Sequence, residues 1–323
     1  SANSKSGVVV TPETSLQYST VFACVDLYAS TISQLPINIL KDEGRKGKSK
    51  AVDHDQYYLI RKEPHKLYSR VQWTKLMIVH YMLWGDGFSI IQRNKFGRPT
   101  GYLIQMPYEV KVEKIQDKNT GEIALWYNVK GKVYHSDDII HFSDLSVDGC
   151  RGVGRIEQQR ESIGLGIALR DFGNELISSS GKTMGYIHHD SKKLDRDGYK
   201  FLTESFMSGY GSESGVGVLP QGWKYTPFSH PMPPASAEYM ASKGFSKNEV
   251  CSIFRTNPFL IGYSEGVNNS VAENIMRHWL SSSVSPIITM MEAEWDRKVF
   301  RESEKKTHYV KYNLFAMLKT DPV

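Results

Sequence analysis

Residues 155–179 read RIEQQRESIGLGIALRDFGNELISS, and the spacing of their apolar side chains predicts one long α-helix. Such a helix spans about 37 Å at ~1.5 Å per residue. It contains Gly164, Gly166 and Gly173, although an interior glycine costs up to ~1 kcal/mol relative to alanine. Its apolar residues also spread around more than one face. A helix of this kind needs neighbours on several sides, and either the same chain or adjacent subunits of a ring could supply them.

Upstream of this helix, the sequence predicts two further helices followed by strands. The first helix, Leu16 to Leu35, has apolar residues every three or four positions. The second begins at Ser69, where Gln72 completes a capping box, and ends at Gly85. Alternating apolar and polar residues, separated by turn residues, then predict several short strands between Phe88 and Phe142.

Downstream of it, residues 182–230 predict a small α/β unit. A strand is expected at Gly185 to His188 and a helix at Asp195 to Ser208. Two more strands are expected at Gly215 to Leu219 and at Trp223 to Pro227, with a glycine-rich turn before them.

Helices resume after this unit. One is predicted at Ala235 to Lys243, and a capping box of Ser246 and Glu249 predicts the start of another. The last long helix carries two apolar stripes whose phase changes across Ser281-Ser282-Ser283. Pro286 follows directly, and because a proline removes a backbone hydrogen bond, we expect a kink there.

Composition excludes several classes of protein. The chain has 323 residues, about two domains' worth, and 40% are apolar, which is enough for a sizeable core. No run approaches the ~18 consecutive apolar residues of a membrane span, and the start shows no signal-peptide pattern. Cys24, Cys150 and Cys251 lie far apart, which argues against a zinc site or a disulfide scaffold and suits a reducing compartment.

The net charge of +5 is small and dispersed. A protein that grips duplex DNA usually carries a concentrated basic stripe. The one local concentration, Lys41 to Lys50, is typical of a solvated turn, and a DNA-binding module centred on it remains an alternative.

One motif suggests an enzyme. Gly262-Tyr263-Ser264-Glu265-Gly266 matches the G-x-S-x-G nucleophile elbow, and Asp296 and His308 follow in the order that α/β-hydrolases use. Only a short apolar run, Phe259 to Ile261, precedes the motif, and no alternation of strands and helices follows it. A polar loop is the better interpretation, and a serine hydrolase using Ser264 is the alternative function.

Two other motifs resemble ligand sites. Gly209 to Gly217 is rich in glycine but lacks the Lys-Ser/Thr of a phosphate-binding loop and leads into a predicted strand. His135-x-Asp137-Asp138-x-x-His141 resembles a metal cluster, but side chains alternate between the faces of a strand, so Asp138 and His141 would point apart. We therefore expect no enzymatic activity, no catalytic residues, no metal and no cofactor.

Taken in order, these segments resemble the phage portal proteins of the HK97 family over essentially the whole chain. Each motif is an ordinary turn or helix edge, so the resemblance rests on their order and spacing. The motifs are Val21-Phe22-Ala23-Cys24-Val25, Leu35-Pro36, Trp84-Gly85-Asp86-Gly87-Phe88, Arg93-Asn94-Lys95-Phe96-Gly97, Asp138-Ile139-Ile140-His141-Phe142, Asp148-Gly149-Cys150-Arg151-Gly152, Val218-Leu219-Pro220-Gln221-Gly222-Trp223, Glu249-Val250-Cys251-Ser252-Ile253-Phe254, Asn257-Pro258-Phe259-Leu260-Ile261-Gly262, Asn274 to Trp279, Pro286 and Glu292.

The resemblance implies an α+β portal fold with an α/β wing, long stem helices, a small α/β clip and a kinked C-terminal helix. Because family chains usually continue beyond the equivalent of Asp321, we expect that crown residues are missing. The implied segments are the wing (1–153), a stem helix (154–181), the clip (182–231), a second stem helix (232–256), the tunnel loop (257–270) and the kinked helix returning to wing and crown (271–323).

The resemblance also implies a function. Such proteins form a ring, typically a dodecamer, at one vertex of the bacteriophage capsid, and double-stranded DNA is packaged and ejected through it. The implied partners are further copies of the chain, the DNA, terminase, head-tail connector proteins and capsid protein, with no membrane. The implied location is the virion, with the host cytoplasm during assembly.

Site residues follow from the same resemblance, position by position. The tunnel-loop residues expected to face DNA are Tyr263, Ser264, Glu265, Gly266, Val267, Asn268 and Asn269. The clip residues expected to dock terminase or connector proteins are Asp195, Arg196, Lys200, Tyr210 and Glu213.

Overall fold

The computed structural model describes residues 3–116, 121, 123–178, 185–189, 196–210, 219, 223–227, 237–263 and 269–317. The chain divides into two compact units. The first comprises Ser1–Gly166 with Ser246–Val323, and the second comprises Ile167–Phe245. Both units contain helices and strands, which confirms the α+β class.

The elements alternate between helices and short strands along the chain. The helices are α1 (Pro12–Ser15), α2 (Ser19–Gln34), α3 (Tyr57–Arg61), α4 (Arg70–Trp84), α5 (Arg155–Gln158), α6 (Arg160–Ser178), α7 (Arg196–Tyr210), α8 (Ala237–Ile253), α9 (Asn269–Trp279) and α10 (Ser285–Val299). The strands are β1 (Ile37–Asp42), β2 (Lys48–Lys50), β3 (Asp86–Arg93), β4 (Pro99–Gln105), β5 (Val110–Gln116), β6 (Ile123–Val129), β7 (Lys132–His135), β8 (Ile139–Ser143), β9 (Gly185–His188), β10 (Lys224–Pro227) and β11 (His308–Tyr312).

The strands of the first unit form three antiparallel sheets. Their strand orders are β11-β1-β2, β4-β3-β8 and β5-β6-β7. In the second unit, β9 pairs antiparallel with β10. Strand β11 was not predicted from the sequence. It joins β1 with Val310 opposite Ile39, and both side chains are buried.

Helices α2 and α4 confirm the two helices predicted in the N-terminal part of the chain, and α2 lies within the predicted range Leu16 to Leu35. The Ser69 hydroxyl accepts a hydrogen bond from the Gln72 amide, and the Gln72 side chain accepts one from the Ser69 amide, so the capping box is complete. Gly85 ends α4 with a φ of +82°, in the left-handed region that favours glycine. Trp73 of α4 packs on Trp295 of α10 in the core, with their ring centroids 5.3 Å apart.

Two predicted helices differ from the structure. The helix predicted for residues 155–179 breaks at Gln159, which separates α5 from α6. The capping box predicted at Ser246 is wrong, because Ser246 lies inside the continuous helix α8. Ser246 is instead buried against Gly166 of α6, where a Cβ would lie 2.6 Å from the Ser246 hydroxyl oxygen and 2.8 Å from the ring of Tyr18. Gly166 thus allows close packing within one chain, and no adjacent subunit is needed to explain it.

The predicted change of helical phase before α10 is confirmed. A π-helical turn, Leu280–Val284, joins α9 to α10, and its wider winding shifts the apolar stripe. Pro286 directly follows this turn within the continuous helical run 269–299, and because it has no backbone N–H it donates no hydrogen bond to the turn. No helix among the described residues is both long and apolar enough to cross a membrane.

In the second unit, the predicted helix and two predicted strands correspond to α7, β9 and β10. The strand predicted at residues 215–219 falls outside the described residues apart from position 219. Leu202 and Phe206 of α7 are buried, and the Phe206 ring stacks on Tyr225 of β10 at 5.5 Å.

Candidate functional site

The structure describes both ends of the predicted tunnel loop. A short 3₁₀ helix, Pro258–Ile261, is capped by the Asn257 side chain, which accepts a hydrogen bond from the Phe259 amide. Gly262 follows with a φ of +97°, and the exposed Tyr263 lies under the ammonium of Lys247, 3.8 Å from its ring centroid. Residues 264–268 are outside the described residues, and α9 begins at Asn269.

The segment that enters this loop is fixed by hydrogen bonds to two helices. The Tyr28 hydroxyl of α2 donates to the carbonyl of Phe254 at 2.8 Å. Arg255 has a φ of +52°, its guanidinium donates to the Ser282 carbonyl, and its own carbonyl accepts from the Ser283 hydroxyl at 2.9 Å. These bonds join the end of α8 to the π-helical turn and fix the segment that enters the loop. We refer to this segment, Phe254 and Arg255 with their hydrogen-bond partners, as the loop base.

Two cysteines that are distant in the sequence meet beneath this base. Cys24 of α2 and Cys251 of α8 are both buried. The hydrogen bond of its thiol to Cys251, together with burial, raises the pKa of Cys24. The same hydrogen bond lowers the pKa of Cys251 against the effect of burial. The two buried thiols therefore interact where α2 and α8 approach each other.

A cavity of about 550 Å³ opens beside α9. Its wall combines apolar side chains of α9 with polar groups of the loop base. The lining residues are Arg255, Asn257, Val271, Asn274, Ile275, His278, Trp279, Ser282 and Ser283. Trp279 is buried, and its ring packs edge to face on Tyr28 with the ring centroids 5.1 Å apart, so it forms the buried part of the cavity wall.

The predicted clip residues are only partly described. Arg196 and Lys200 are exposed on α7, close to the exposed rings of Tyr199 and Phe201. Tyr210 is the last residue of α7, while positions 195 and 213 lie outside the described residues. The surface of α7 therefore presents cations beside aromatic rings.

A buried charged cluster centred on Asp86 joins strands β3 and β8 to the loop before α5. The Asp86 carboxylate is fully buried and accepts hydrogen bonds from His141 Nε2 at 2.8 Å, Arg151 Nε at 2.9 Å and the Gly152 amide at 2.7 Å. Burial alone would raise the pKa of Asp86, but the hydrogen bonds from His141, Gly152 and Arg151 hold it below its usual value. The Phe88 ring stacks on His141 at 4.4 Å and lies under the Arg151 guanidinium.

Sequence reasoning missed this Asp86 cluster and considered His141 for a different role. The motif from His135 to His141, for which no metal was expected, is divided between two partners, because Asp138 pairs with Arg93 at 2.8 Å while His141 faces Asp86. No group of metal-binding side chains is found among the described residues. The motif thus serves internal ion pairs.

The G-x-S-x-G segment does not have the surroundings of a nucleophile elbow where it can be seen. The 3₁₀ helix Pro258–Ile261, not a strand, leads into Gly262, and Ser264 is outside the described residues. The Asp296 carboxylate accepts the Val310 amide at 2.6 Å, so it serves the edge of β11. Nothing in this geometry or in the relatives described below favours a hydrolase.

The basic run at residues 41–50 forms a hairpin of β1 and β2, as expected for a solvated turn. The residues of a short 3₁₀ turn, Gly44–Lys46, connect the two strands and are exposed. Lys48 lies over the Tyr309 ring of β11 at 5.2 Å. The run is therefore part of a sheet edge.

Comparison with known proteins places the chain among phage proteins. Residues 19–323 match the family described as Phage portal protein. The probable portal protein of Streptomyces phage phiC31 is 25% identical over 342 residues, covering 98% of this chain and 71% of the relative. The crystal structure of an HK97 family phage portal protein from Corynebacterium diphtheriae has a TM-score of 0.73 at 14% identity, covering 98% of this chain and 99% of that chain. A chain from the neck of a native gene transfer agent particle, computed with C12 symmetry, has a TM-score of 0.62 at 16% identity, covering 96% and 88%.

Proposed function

Because the chain belongs to the phage portal protein family, whose role is structural, we propose that it forms a ring-shaped channel at one vertex of a viral capsid. Viral double-stranded DNA would be packaged and later ejected through this channel. The observation that carries the proposal is the family match, which spans residues 19–323 and includes every element described here from α2 onwards. The expected resemblance to HK97-family portal proteins is confirmed.

The oligomer is proposed to be a closed ring of twelve copies. Its support is the fold shared with a neck protein whose particle was computed with twelvefold symmetry. Head-to-tail contacts between identical chains close into a ring when the rotation between neighbours divides a full turn evenly. The proposed location is the capsid vertex of the virion, with assembly in the host cytoplasm.

The tunnel loop, residues 257–270, is proposed to lie beside the passing DNA. It combines a firm base at Arg255 with an exposed aromatic ring at Tyr263. The charges near its ends are largely engaged, since Lys247 lies on Tyr263 and Arg277 pairs with Glu273 at 2.8 Å. Few free cations suit a conduit, because tight phosphate neutralisation would hold the DNA in place.

The remaining segment assignments are proposals of the same kind. Residues 182–231 would form the clip, and Arg196 and Lys200 of α7 would meet terminase or connector proteins through an exposed surface. Residues 154–181 and 232–256 would form the stem helices, residues 1–153 the wing, and residues 271–323 the helix that returns to wing and crown. Capsid protein would surround the ring. We propose no enzymatic activity for the chain itself.

The position of the tunnel loop can be tested by photo-crosslinking in assembled, DNA-filled particles. Tyr263 is replaced by a photoreactive amino acid, and the exposed Tyr108 in the turn after β4 is replaced in the same way as a control. The proposal predicts crosslinks to DNA from position 263 and none from position 108. Equal crosslinking from both positions, or crosslinking from position 108 alone, would contradict it.

A further inference from the structure

Helix α9, which follows the tunnel loop, is held in the first unit by little buried apolar surface. Among the side chains described for this helix, those of residues 270–279, only the side chain of Trp279 is buried. The cavity of about 550 Å³ is lined by the same helix, and Val271 near its start is 44% exposed. A helix with so few buried side chains depends on its remaining polar contacts to stay in place.

The joint between α9 and α10 leaves one backbone carbonyl without its α-helical donor. The Ser285 amide donates to the Leu280 carbonyl five residues earlier, which is the hydrogen bond of a π-helical turn. In continuous α-helical winding, the amide of residue 286 would donate to the carbonyl of Ser282. Residue 286 is a proline and has no backbone N–H. A donor from outside the helix can therefore bind the Ser282 carbonyl.

Arg255, in the loop base, supplies this donor. A terminal nitrogen of its guanidinium donates to the Ser282 carbonyl oxygen at 2.8 Å. The Arg255 carbonyl in turn accepts a hydrogen bond from the hydroxyl of Ser283 at 2.9 Å, and the Ser283 side chain is buried. Two hydrogen bonds of opposite direction thus join one residue after α8 to two consecutive residues of the joint.

The backbone of Arg255 has a conformation that usually belongs to glycine. Helix α8 ends in a Schellman motif, in which the Arg255 amide donates to the Ser252 carbonyl and the Thr256 amide donates to the Cys251 carbonyl. The left-handed residue of this motif is commonly glycine, whereas Arg255 adopts it with a φ of +52°. A glycine would relieve this strain but would carry no guanidinium. The arginine therefore keeps the side-chain donor at a cost in backbone energy.

We propose that Arg255 is a positioning residue for the tunnel loop, because its guanidinium replaces the amide that Pro286 lacks. Arg255 precedes the loop, residues 257–270, while Ser282 and Ser283 follow it, so these bonds connect the chain on both sides of the loop. The connection fixes the direction of α9 where it leaves the joint, and α9 holds the end of the loop. The consequence for the loop rests on the proposed function, whereas the replacement of the amide rests on the contacts alone.

The test is hydrogen exchange of the full-length protein, followed by mass spectrometry of peptides that cover α9. Exchange of these amides measures how often the helix opens locally. Arg255→Ala should make α9 exchange about fivefold faster, as the loss of one exposed hydrogen bond from a charged donor predicts. Peptides that cover β6 and β7 provide the internal control and should exchange as in the wild type.

A second substitution tests the link to the proline. Pro286→Ala gives residue 286 an amide that can donate to Ser282, so in this background Arg255→Ala should change α9 exchange by less than about twofold. Arg277→Ala is the matched control, because the Arg277 guanidinium pairs with Glu273 within α9 at 2.8 Å. Its effect on exchange should be the same in both backgrounds.

Two further variants at the same position separate the guanidinium from the backbone. Arg255→Gly adopts the left-handed conformation without strain and should still speed exchange of α9 as Arg255→Ala does. Arg255→Lys, whose ammonium can donate to the same carbonyl, should restore about half of the protection or more. Equal acceleration by Arg255→Ala with and without Pro286→Ala, or no acceleration by either Arg255→Ala or Arg255→Gly, would overturn the proposal. These measurements involve no DNA, so their failure is distinct from failure of the crosslinking test at Tyr263.

Discussion

Replacing Asp86 by Asn should destabilise the chain far more than the same change at Asp138. Each aspartate pairs with an arginine at a similar distance, 2.9 Å for Asp86 with Arg151 and 2.8 Å for Asp138 with Arg93. The Asp86 side chain is fully buried, whereas that of Asp138 is 41% exposed. Asp86 also accepts hydrogen bonds from His141 and the Gly152 amide, so the two sites differ both in burial and in the number of donors.

The magnitudes follow from this difference. Asp86→Asn weakens the acceptor of His141 and of the Gly152 amide, and a buried donor left without its partner costs about 1–3 kcal/mol. Arg151 is 37% exposed, so water compensates part of its charge, and the whole substitution should cost about 3 kcal/mol or more. An exposed pair contributes about 0–1 kcal/mol. We expect Asp86→Asn to lower the free energy of unfolding by at least about 3 kcal/mol and Asp138→Asn by less than about 1 kcal/mol.

The assay is denaturant unfolding of the two variants and the wild type at equal protein concentration, since assembly also affects apparent stability. The pH dependence gives an independent check. The pKa of Asp86 is held below its ordinary value in the folded chain, so its contribution is present above the ordinary carboxyl pKa and is lost as the pH falls through the lowered value. The difference between wild type and Asp86→Asn should shrink in acid. Equal effects of the two substitutions at neutral pH would refute the reasoning.

Three further predictions concern buried groups and close approaches. Burial lowers the pKa of His80 to about 4, so near pH 5 the unfolded chain binds a proton that the folded chain does not. The stability of His80→Leu relative to wild type should therefore be about 2 kcal/mol higher at pH 5 than at pH 7.5. Denaturant midpoints measure this difference, and a difference that does not change with pH would contradict the prediction. Burial and the nearby Glu292 carboxylate raise the pKa of Asp296 to about 6. The side-chain oxygen of Asp296→Asn can still accept the Val310 amide, so this variant should be more stable than wild type by about 1–2 kcal/mol at pH 7 and not at pH 4. A loss of stability at pH 7 would count against the prediction. A Cβ on Gly152 would lie 2.0 Å from the Gly85 carbonyl oxygen, whereas one on Gly244 of α8 would meet nothing within 4 Å. Gly152→Ala should lower the free energy of unfolding by about 3 kcal/mol or more, and Gly244→Ala should raise it by up to ~1 kcal/mol. Thermal unfolding measures both, and similar midpoints for the two variants would be inconsistent with the packing.

Features that depend on neighbouring residues were predictable from the sequence. The capping box at Ser69 and the left-handed Gly85 involve side chains and backbone within one turn of each other, so their pattern alone determines the bounds of α4. The phase change before α10 was predictable for the same reason, and it takes the form of a π-helical turn directly before Pro286.

Features that depend on distant residues were not predictable. Ser246 and Glu249 have the local pattern of a helix start, but burial of Ser246 against Tyr18 and Gly166 keeps α8 continuous. A long-range packing contact can override a weak local preference in this way.

The charged groups show the same limit. His141 and Arg151 lie 55 and 65 positions after Asp86 in the sequence, and only the folded sheet brings the three residues together. The weak signal available was that the motifs around these three residues all carried the family resemblance. For the tunnel loop and the clip, the sequence provided positions through that resemblance alone.

The central claim is that this chain assembles into a closed ring around a channel. The most direct measurement is electron microscopy of the assembled full-length protein viewed down its axis, with the particle mass determined in parallel. Twelve copies of the 36.7 kDa chain, or of its full-length form, should surround an open central channel. A protein that stays monomeric at high concentration, or that forms assemblies without a central opening, would contradict the claim.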